Sequence, residues 1–268
     1  MLNLFKKVLG SKKSTGVALL PLYFTFLSLI IPMFLYTIDE YPEWFLYPKL
    51  NSEIVIGFSY KKTPAIVDAR RMHCVYKKND VYGYLETMRL SGERYYVKSD
   101  YYYYFDHSCY EKTSTDSLFL LDGFGVSVMS MDYVQAFSFN KQASVSKETA
   151  VIANIPSPNW INKDVWSEDD YFYGVGMFTS SGNKNDAWKT SEEKAIYNIL
   201  TSNSIKIFSL KYLKYKNSEI QKNTNINYNR IELNYHLTNI ETLERWPHED
   251  GYFYTLVRID QEDITLNE

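Results

Sequence analysis

Residues that carry chemistry are scarce in this chain of 268 residues, which has only four histidines and two cysteines, with 11 glycines and 8 prolines. No G-x-S-x-G, H-E-x-x-H, C-x-x-C or G-x-x-x-x-G-K-[ST] occurs. The nucleophile elbow, the helical zinc site, the dithiol redox pair and the phosphate loop each need their residues at fixed spacing, so none of them is readable here. So little Gly and Pro excludes a collagen-like or low-complexity chain, and a hydrophobic share of 45% excludes a disordered one. The chain is read as non-enzymatic, with no catalytic residue, no cofactor and no metal ligand set to assign.

Negative charge is missing at one end. The first 38 residues hold Lys6, Lys7, Lys12 and Lys13 and no acid, whereas the other 230 carry 25 basic and 32 acidic side chains. That mildly acidic remainder is a poor electrostatic match to nucleic acid. The lysines belong instead to a membrane signal. Residues 17–38, VALLPLYFTFLSLIIPMFLYTI, are uncharged and as a helix would extend about 33 Å, close to the hydrocarbon thickness of a bilayer. Lysines before the run, and Asp39, Glu40 and Glu43 after it, put the N-terminus in the cytoplasm by the positive-inside bias. A cleaved signal would need small residues after the run, and a lipoprotein signal would need a cysteine there; MFLYTIDEYPEW offers neither. A buried core helix fits Pro21 and Pro32 and the all-round apolar surface less well. The expectation is a cytoplasmic segment 1–16, an uncleaved single-span anchor 17–38 and an ectodomain beyond it.

Aromatic residues are abundant: 25 Tyr, 15 Phe and 5 Trp. Tyrosine favours strands, and its hydroxyl needs a partner when buried. After a connector at 39–51, EIVIGFSY predicts a strand, and Thr63-Pro64 predicts an N-cap followed by proline at the first helical position. Ala65, Ala69, Met72 and Tyr76 then fall on one helical face. Strands follow in VYGYLETMRL, ERYYVKSDYYYYFDHS, SLFLLDGFG and VSVMSMDYVQAFSF. The stretch 141–159, rich in Ser, Thr and Asn and closing on Pro156-Ser-Pro158, reads as a linker. A second strand YFYGVGMF, a loop and the helix AWKTSEEKAIYNIL come next, and then strands SIKIFSLKYLKY, INYNRIELNYHL, NIETLERW and GYFYTLVRID. Strand with glycine, loop, helix and strands thus occurs twice, with Gly57 matching Gly176 and Tyr76 matching Tyr197. The fold class is α+β: two small domains at 52–140 and 160–262, each an antiparallel sheet with a packed helix.

Pro158-Asn-Trp160, the strand Tyr-Phe-Tyr-Gly-Val-Gly at 171–176, a helix punctuated by Ala187 and Ala195, and the closing Glu244-Arg-Trp246 with Asp250-Gly-Tyr-Phe-Tyr-Thr-Leu-Val-Arg-Ile259 give residues 156–262 a likeness to a known family. This segment resembles the Lpp-twenty lipoprotein family of the bacterial envelope, and is similar to the related N-terminal domain of the flagellar assembly protein FlgT. Where that family carries a lipidated cysteine, this chain has the apolar run. The resemblance implies an extracytoplasmic protein of structural or assembly type, here a single-pass protein of the inner membrane with its bulk in the periplasm and an envelope protein as partner. It transfers no catalytic residue.

Cys74 and Cys109 are candidates for a disulfide, which in an oxidising compartment would close a loop of about 35 residues. With His73 and His107 they also form a Cys₂His₂ set, although adjacent helical residues converge poorly on one ion; two free thiols are the third reading. The run Tyr101 to Tyr104 is either an aromatic platform for sugar or peptide, or a strand covered on both faces, since neighbouring residues alternate sides; covering is the expectation. Trp160, Trp166 and Trp188 read as packing anchors. Gly174 and Gly176 read as points of close backbone approach, and Glu168-Asp169-Asp170 and Glu249-Asp250 as solvated loops. The alternative to an interaction module is an extracytoplasmic domain that binds or senses a small molecule or glycan.

Overall fold

The structure, a computed structural model, describes residues 40–50, 53–59, 63–90, 96–106, 117–127, 132–179, 183–215 and 226–267. The expected anchor at 17–38 lies outside the described residues, and among those described no helix is long and apolar enough to cross a membrane. Residues 38–268 group as one compact unit. It consists of antiparallel sheets with few helices, in keeping with an α+β chain.

The elements run β1 (Glu40–Pro42), α1 (Glu43–Leu46), β2 (Val55–Phe58), α2 (Ala65–Lys77), β3 (Lys78–Leu90), β4 (Tyr96–Phe105), β5 (Phe119–Ser127) and β6 (Asp132–Ser138). Then come β7 (Thr149–Val151), β8 (Val165–Glu168), β9 (Tyr171–Thr179), α3 (Lys184–Tyr215), β10 (Ile226–Thr238), β11 (Glu241–Pro247), β12 (Tyr252–Asp260) and β13 (Ile264–Leu266). Helix α2 presents the expected stripe of Ala65, Ala69 and Met72 to the core, but Pro64 precedes it in extended conformation and no side chain caps it. Residues 204–215, expected as a strand, continue α3. No Gly or Pro interrupts residues 184–215, so a nucleated helix keeps gaining one backbone bond per residue.

Both the connector and the linker of the sequence reading are structural. Tyr41, Trp44, Phe45 and Leu46, from the expected connector, are fully buried at the centre of the main core with Phe58, Trp188 and Phe253. Strand β1 pairs with β7, from the expected linker, and Glu43 N–H donates to the carbonyl of Glu148 at 2.9 Å. Tyr41 just before Pro42, and Trp44, Phe45 and Leu46 between Pro42 and Pro48, form a short hydrophobic run whose burial the strand-and-helix periods do not signal.

Sheet order is β2-β6-β5, β11-β12-β9-β8 and β13-β10-β3-β4, with a two-stranded β1-β7 ribbon. The first two sheets are built alike. Gly57 on β2 faces Gln135 on β6, which faces Gly123 on β5; Gly176 on β9 faces Thr255 on β12, which faces Arg245 on β11. Each hairpin has a register shift at the same place, between Leu120 and Asp122 and between Thr242 and Glu244. Directly after each shift stands a carboxylate that accepts from a tryptophan: Trp44 Nε1 to Asp122 at 3.1 Å, and Trp160 Nε1 to Glu244 at 2.6 Å. Both tryptophans follow proline by two residues, at Pro42 and Pro158.

The helices sit over the matching glycines. A Cβ on Gly57 would lie 2.0 Å from the Ala65 carbonyl and 2.8 Å from Ala69, and one on Gly176 would lie 1.8 Å from the Ser191 carbonyl and 2.5 Å from the Ala195 nitrogen. Only glycine permits this approach. Aligning Ala65 with Ser191 and Ala69 with Ala195 puts Tyr76 level with Ser202, so the structural register of the repeat differs from the sequence match of Tyr76 with Tyr197.

The strands that follow the two helices do not stay with their own halves. β3 and β10 pair with each other along their whole lengths, from Lys78 with Thr238 to Leu90 with Ile226. Strands from both sides of the expected linker at 141–159 thus lie in one sheet. A second core, with Val75, Val81 and Phe105 from the first half and Ile196, Leu200, Leu233, Val257 and Ile259 from the second, fills the space beneath it.

Candidate interaction surface

Alternation in β3 and β4 sorts the tyrosines onto two faces. Tyr101, Tyr103 and Phe105 turn towards α3, where Tyr197 lies 5.4 Å from Tyr101 and 5.3 Å from Tyr103, ring centre to ring centre. Lys194 Nζ sits 3.7 Å from the Tyr101 ring centre and 4.5 Å from that of Tyr197. Burial holds the Lys194 ammonium below its ordinary range. The Tyr103 phenol is pushed well up, first by burial and then by Glu193 and the neighbouring phenols.

The other face is open. Tyr82 pairs across from Tyr104 and Tyr84 from Tyr102, with the last two rings stacked at 5.9 Å. Tyr102 is 53% exposed, Tyr104 49% and Tyr82 42%. Beside this array Arg230 lies over the Tyr84 ring at 4.6 Å and bonds Glu86 at 3.0 Å. The expectation of a strand covered on both faces is thus corrected. The sheet has core on one side only, and Tyr101 too remains 48% exposed near the edge. Among the described residues β4 pairs with β3 alone and forms the sheet's edge. The sequence does contain the signal for the array: Tyr82-x-Tyr84 and Tyr102-x-Tyr104 share the strand period.

The most buried charges act between the halves. On α2, Asp68 accepts from the Phe58 N–H at 3.0 Å and from Lys189 Nζ of α3 at 2.5 Å, with Arg71 3.8 Å away. Glu192 of α3 receives Arg245 Nε at 2.7 Å and the Tyr76 hydroxyl, while Arg245 Nη1 donates to the Phe45 carbonyl at 2.7 Å. The Tyr76 phenol is held well above its usual range by burial, then by Glu192. Burial likewise raises the Glu193 carboxyl, with Lys189 and Arg71 opposing. Charges this deep persist only when paired, and these are spent on one another. Sequence reasoning missed them because their partners are far apart in the chain.

A cleft of about 750 Å³ opens between α2 and β11, lined among others by Lys49, His73, Lys77, Phe139, Glu241 and Arg258. His73 packs on Phe139 at 4.6 Å, and its imidazole is held below the usual range by burial and then by Lys77. Arg258 is bonded to Glu241 at 2.7 Å, and Glu53 accepts from Asn140 at 3.0 Å. Arg258 and Glu241 are therefore matched within the wall.

The remaining sequence candidates fall in separate places. Cys74 is buried on α2, and no cysteine is free among the described residues; Cys109 and His107 lie outside the described residues. Asp169 and Asp170 have φ of 48° and 66° and form the tight turn between β8 and β9, a conformation that Asp tolerates. Glu249 and Asp250 lie in the β11–β12 turn that Gly251 closes at φ 81°. No group of three or more His, Cys, Asp or Glu suited to a metal ion occurs among the described residues. Trp160 and Trp188 are buried, and Trp166 stacks on Tyr173 at 5.0 Å.

No protein-family model, curated protein or solved structure matches the chain.

Proposed function

We propose that this chain is a single-span, extracytoplasmic envelope protein of non-enzymatic type that acts as an interaction or assembly module, as its likeness to the Lpp-twenty and FlgT N-terminal families implies. The observation that carries the reading is β4, an edge strand of ten residues from which Tyr102 and Tyr104 stand exposed on the face away from the core. Unpaired strand edges and exposed aromatic surface recruit other chains. A photoactivatable residue in place of Tyr104 is expected to yield a protein adduct in intact cells, whereas one at Asp169, in an exposed turn elsewhere, yields none. Absence of any adduct at Tyr104 overturns the reading. Orientation is tested by protease treatment of spheroplasts, where the part beyond residue 38 is expected to be digested; protection reverses the topology.

The disulfide proposal, Cys74 with Cys109, belongs to the same compartment argument. Reduction is expected to add about 2 Da to the intact chain, and alkylation of both thiols without reductant removes it. A second reading, a domain that binds a small molecule or glycan, draws on the cleft beside His73 and Phe139. Protection of Lys49 and Lys77 from amine labelling by a bound ligand favours it.

A further inference from the structure

Charge in the cleft between α2 and β11 runs against that of the chain around it. Beyond residue 38 acids outnumber bases by 32 to 25, yet the cleft wall carries Lys49, His73, Lys77, Arg245 and Arg258 against Glu53 and Glu241. Two of these bases are spent: Arg258 bonds Glu241 at 2.7 Å, and Arg245 bonds Glu192 of α3 at 2.7 Å. Glu53, which is exposed, accepts from the Asn140 amide at 3.0 Å. Among the described residues no carboxylate pairs with Lys49, His73 or Lys77.

We propose that this cleft binds a small organic anion, a carboxylate or phosphate ester with an apolar body, and that Lys49 and Lys77 hold its anionic group. The inference rests on the reading of the chain as a domain that binds a small molecule, and names that molecule's chemistry. Its first support is electrostatic. His73 stands half-buried against Phe139, ring centres 4.6 Å apart, and what acts on its imidazole is burial and then the Lys77 ammonium, with no carboxylate to offset them. Burial and a neighbouring ammonium both disfavour a protonated imidazole, whereas an anion beside the two bases favours the charged form of each.

Spare donors supply the second support. The Arg245 side chain is only 2% exposed, and its bonds to Glu192 and to the Phe45 carbonyl use Nε–H and one N–H of each terminal nitrogen. A guanidinium has five N–H groups, so each terminal nitrogen keeps one, on a residue that belongs to the cleft wall. Carboxylate and phosphate oxygens are the acceptors that suit such a fork. The third support is shape. A volume of about 750 Å³ falls in the roughly 300–1,000 Å³ range of small-molecule sites, and Val55, Ile56, Ile240 and Phe139 give the cleft an apolar side.

The test uses the full chain in its membrane and the probes phenyl phosphate, benzoate, inorganic phosphate and the neutral phenyl glucoside. Amine labelling read by mass spectrometry at Lys49 and Lys77 reports occupancy, and Lys141, exposed outside the cleft, gives the baseline. Phenyl phosphate and benzoate are expected to protect both cleft lysines at about a tenth of the concentration that phenyl glucoside requires. Inorganic phosphate is expected to require about tenfold more than phenyl phosphate, because it lacks the apolar body. Lys49→Gln and Lys77→Gln, each read at the remaining lysine, are expected to weaken phenyl phosphate and inorganic phosphate severalfold. Phe139→Ala is expected to weaken phenyl phosphate alone. Equal protection by phenyl glucoside and phenyl phosphate, or unchanged phenyl phosphate binding in both lysine variants, overturns the anion proposal while the small-molecule reading stands. Equal protection by inorganic phosphate and phenyl phosphate overturns the apolar body, and if no probe protects either lysine, the proposal and the small-molecule reading both fail.

Discussion

Gly123 and Arg245 occupy equivalent places, each on an edge strand of its sheet, across from the neighbouring inner strand and one residue past a bulged carboxylate. In the first half the position holds no side chain. In the second it sends a guanidinium to Glu192 and on to the Phe45 carbonyl of the first half. The frame of glycine, bulge and tryptophan-bound carboxylate is common to both, and the difference lies in which half supplies the joining groups.

The largest test of that difference is Arg245→Met, which strands Glu192 and is expected to cost about 3–5 kcal/mol in chemical denaturation. Gly123→Ala should cost under about 1 kcal/mol, since its Cβ would meet the flexible Gln135 side chain at 3.0 Å and come only into ordinary contact with the Val134 carbonyl at 3.4 Å. Equal losses break the comparison. Gly57→Ala and Gly176→Ala, by contrast, should each cost about 3 kcal/mol through overpacking against helix backbone; if either is tolerated, the two helix seats are not equivalent. Trp44→Phe and Trp160→Phe should each lose about 2 kcal/mol with the hydrogen bond to carboxylate.

The smallest effect separates the two carboxylates by pH. Burial alone would raise Asp122, but bonds from Lys147, the Gly123 N–H and Trp44 outweigh it and hold the carboxyl below its usual range. Glu244 has only Trp160 to oppose burial, and its carboxyl is raised. Asp122 therefore contributes stability that is present above the unfolded-chain pKa and lost as pH falls through the folded value. For Glu244 the contribution is present below the unfolded-chain pKa and lost as pH rises through the folded value. Denaturation midpoints between pH 3 and 7 should show Asp122→Asn less stable and Glu244→Gln more stable at the upper end, with both differences closing in acid.

Strand-forming segments were legible wherever Tyr, Phe, Val and Ile ran together, as in β3, β9, β10 and β12, and the α2 stripe was legible from its period. Gly57 and Gly176 could be paired by eye because each lies in such a strand ahead of a helix. What escaped was whatever depends on distant partners. Trp44 and Phe45 look like a loop until Trp188 and Phe253 surround them. Asp68 and Lys189 look like solvated charges until two helices bring them to 2.5 Å. The tyrosine run gave its alternation truly, but which face met water depended on where α3 came to rest.

The pairing of β3 with β10 also dictates an order of events in time. Lys78 leaves the ribosome long before Thr238, its ladder partner, so the first half must wait with one flank of a thirteen-residue strand uncovered. Contacts so distant in sequence slow folding and lengthen the exposure of sticky intermediates. For a chain rich in tyrosine and phenylalanine, the shared sheet makes completion of synthesis a condition for folding, and a chain stopped near residue 140 would present β3 as an open strand.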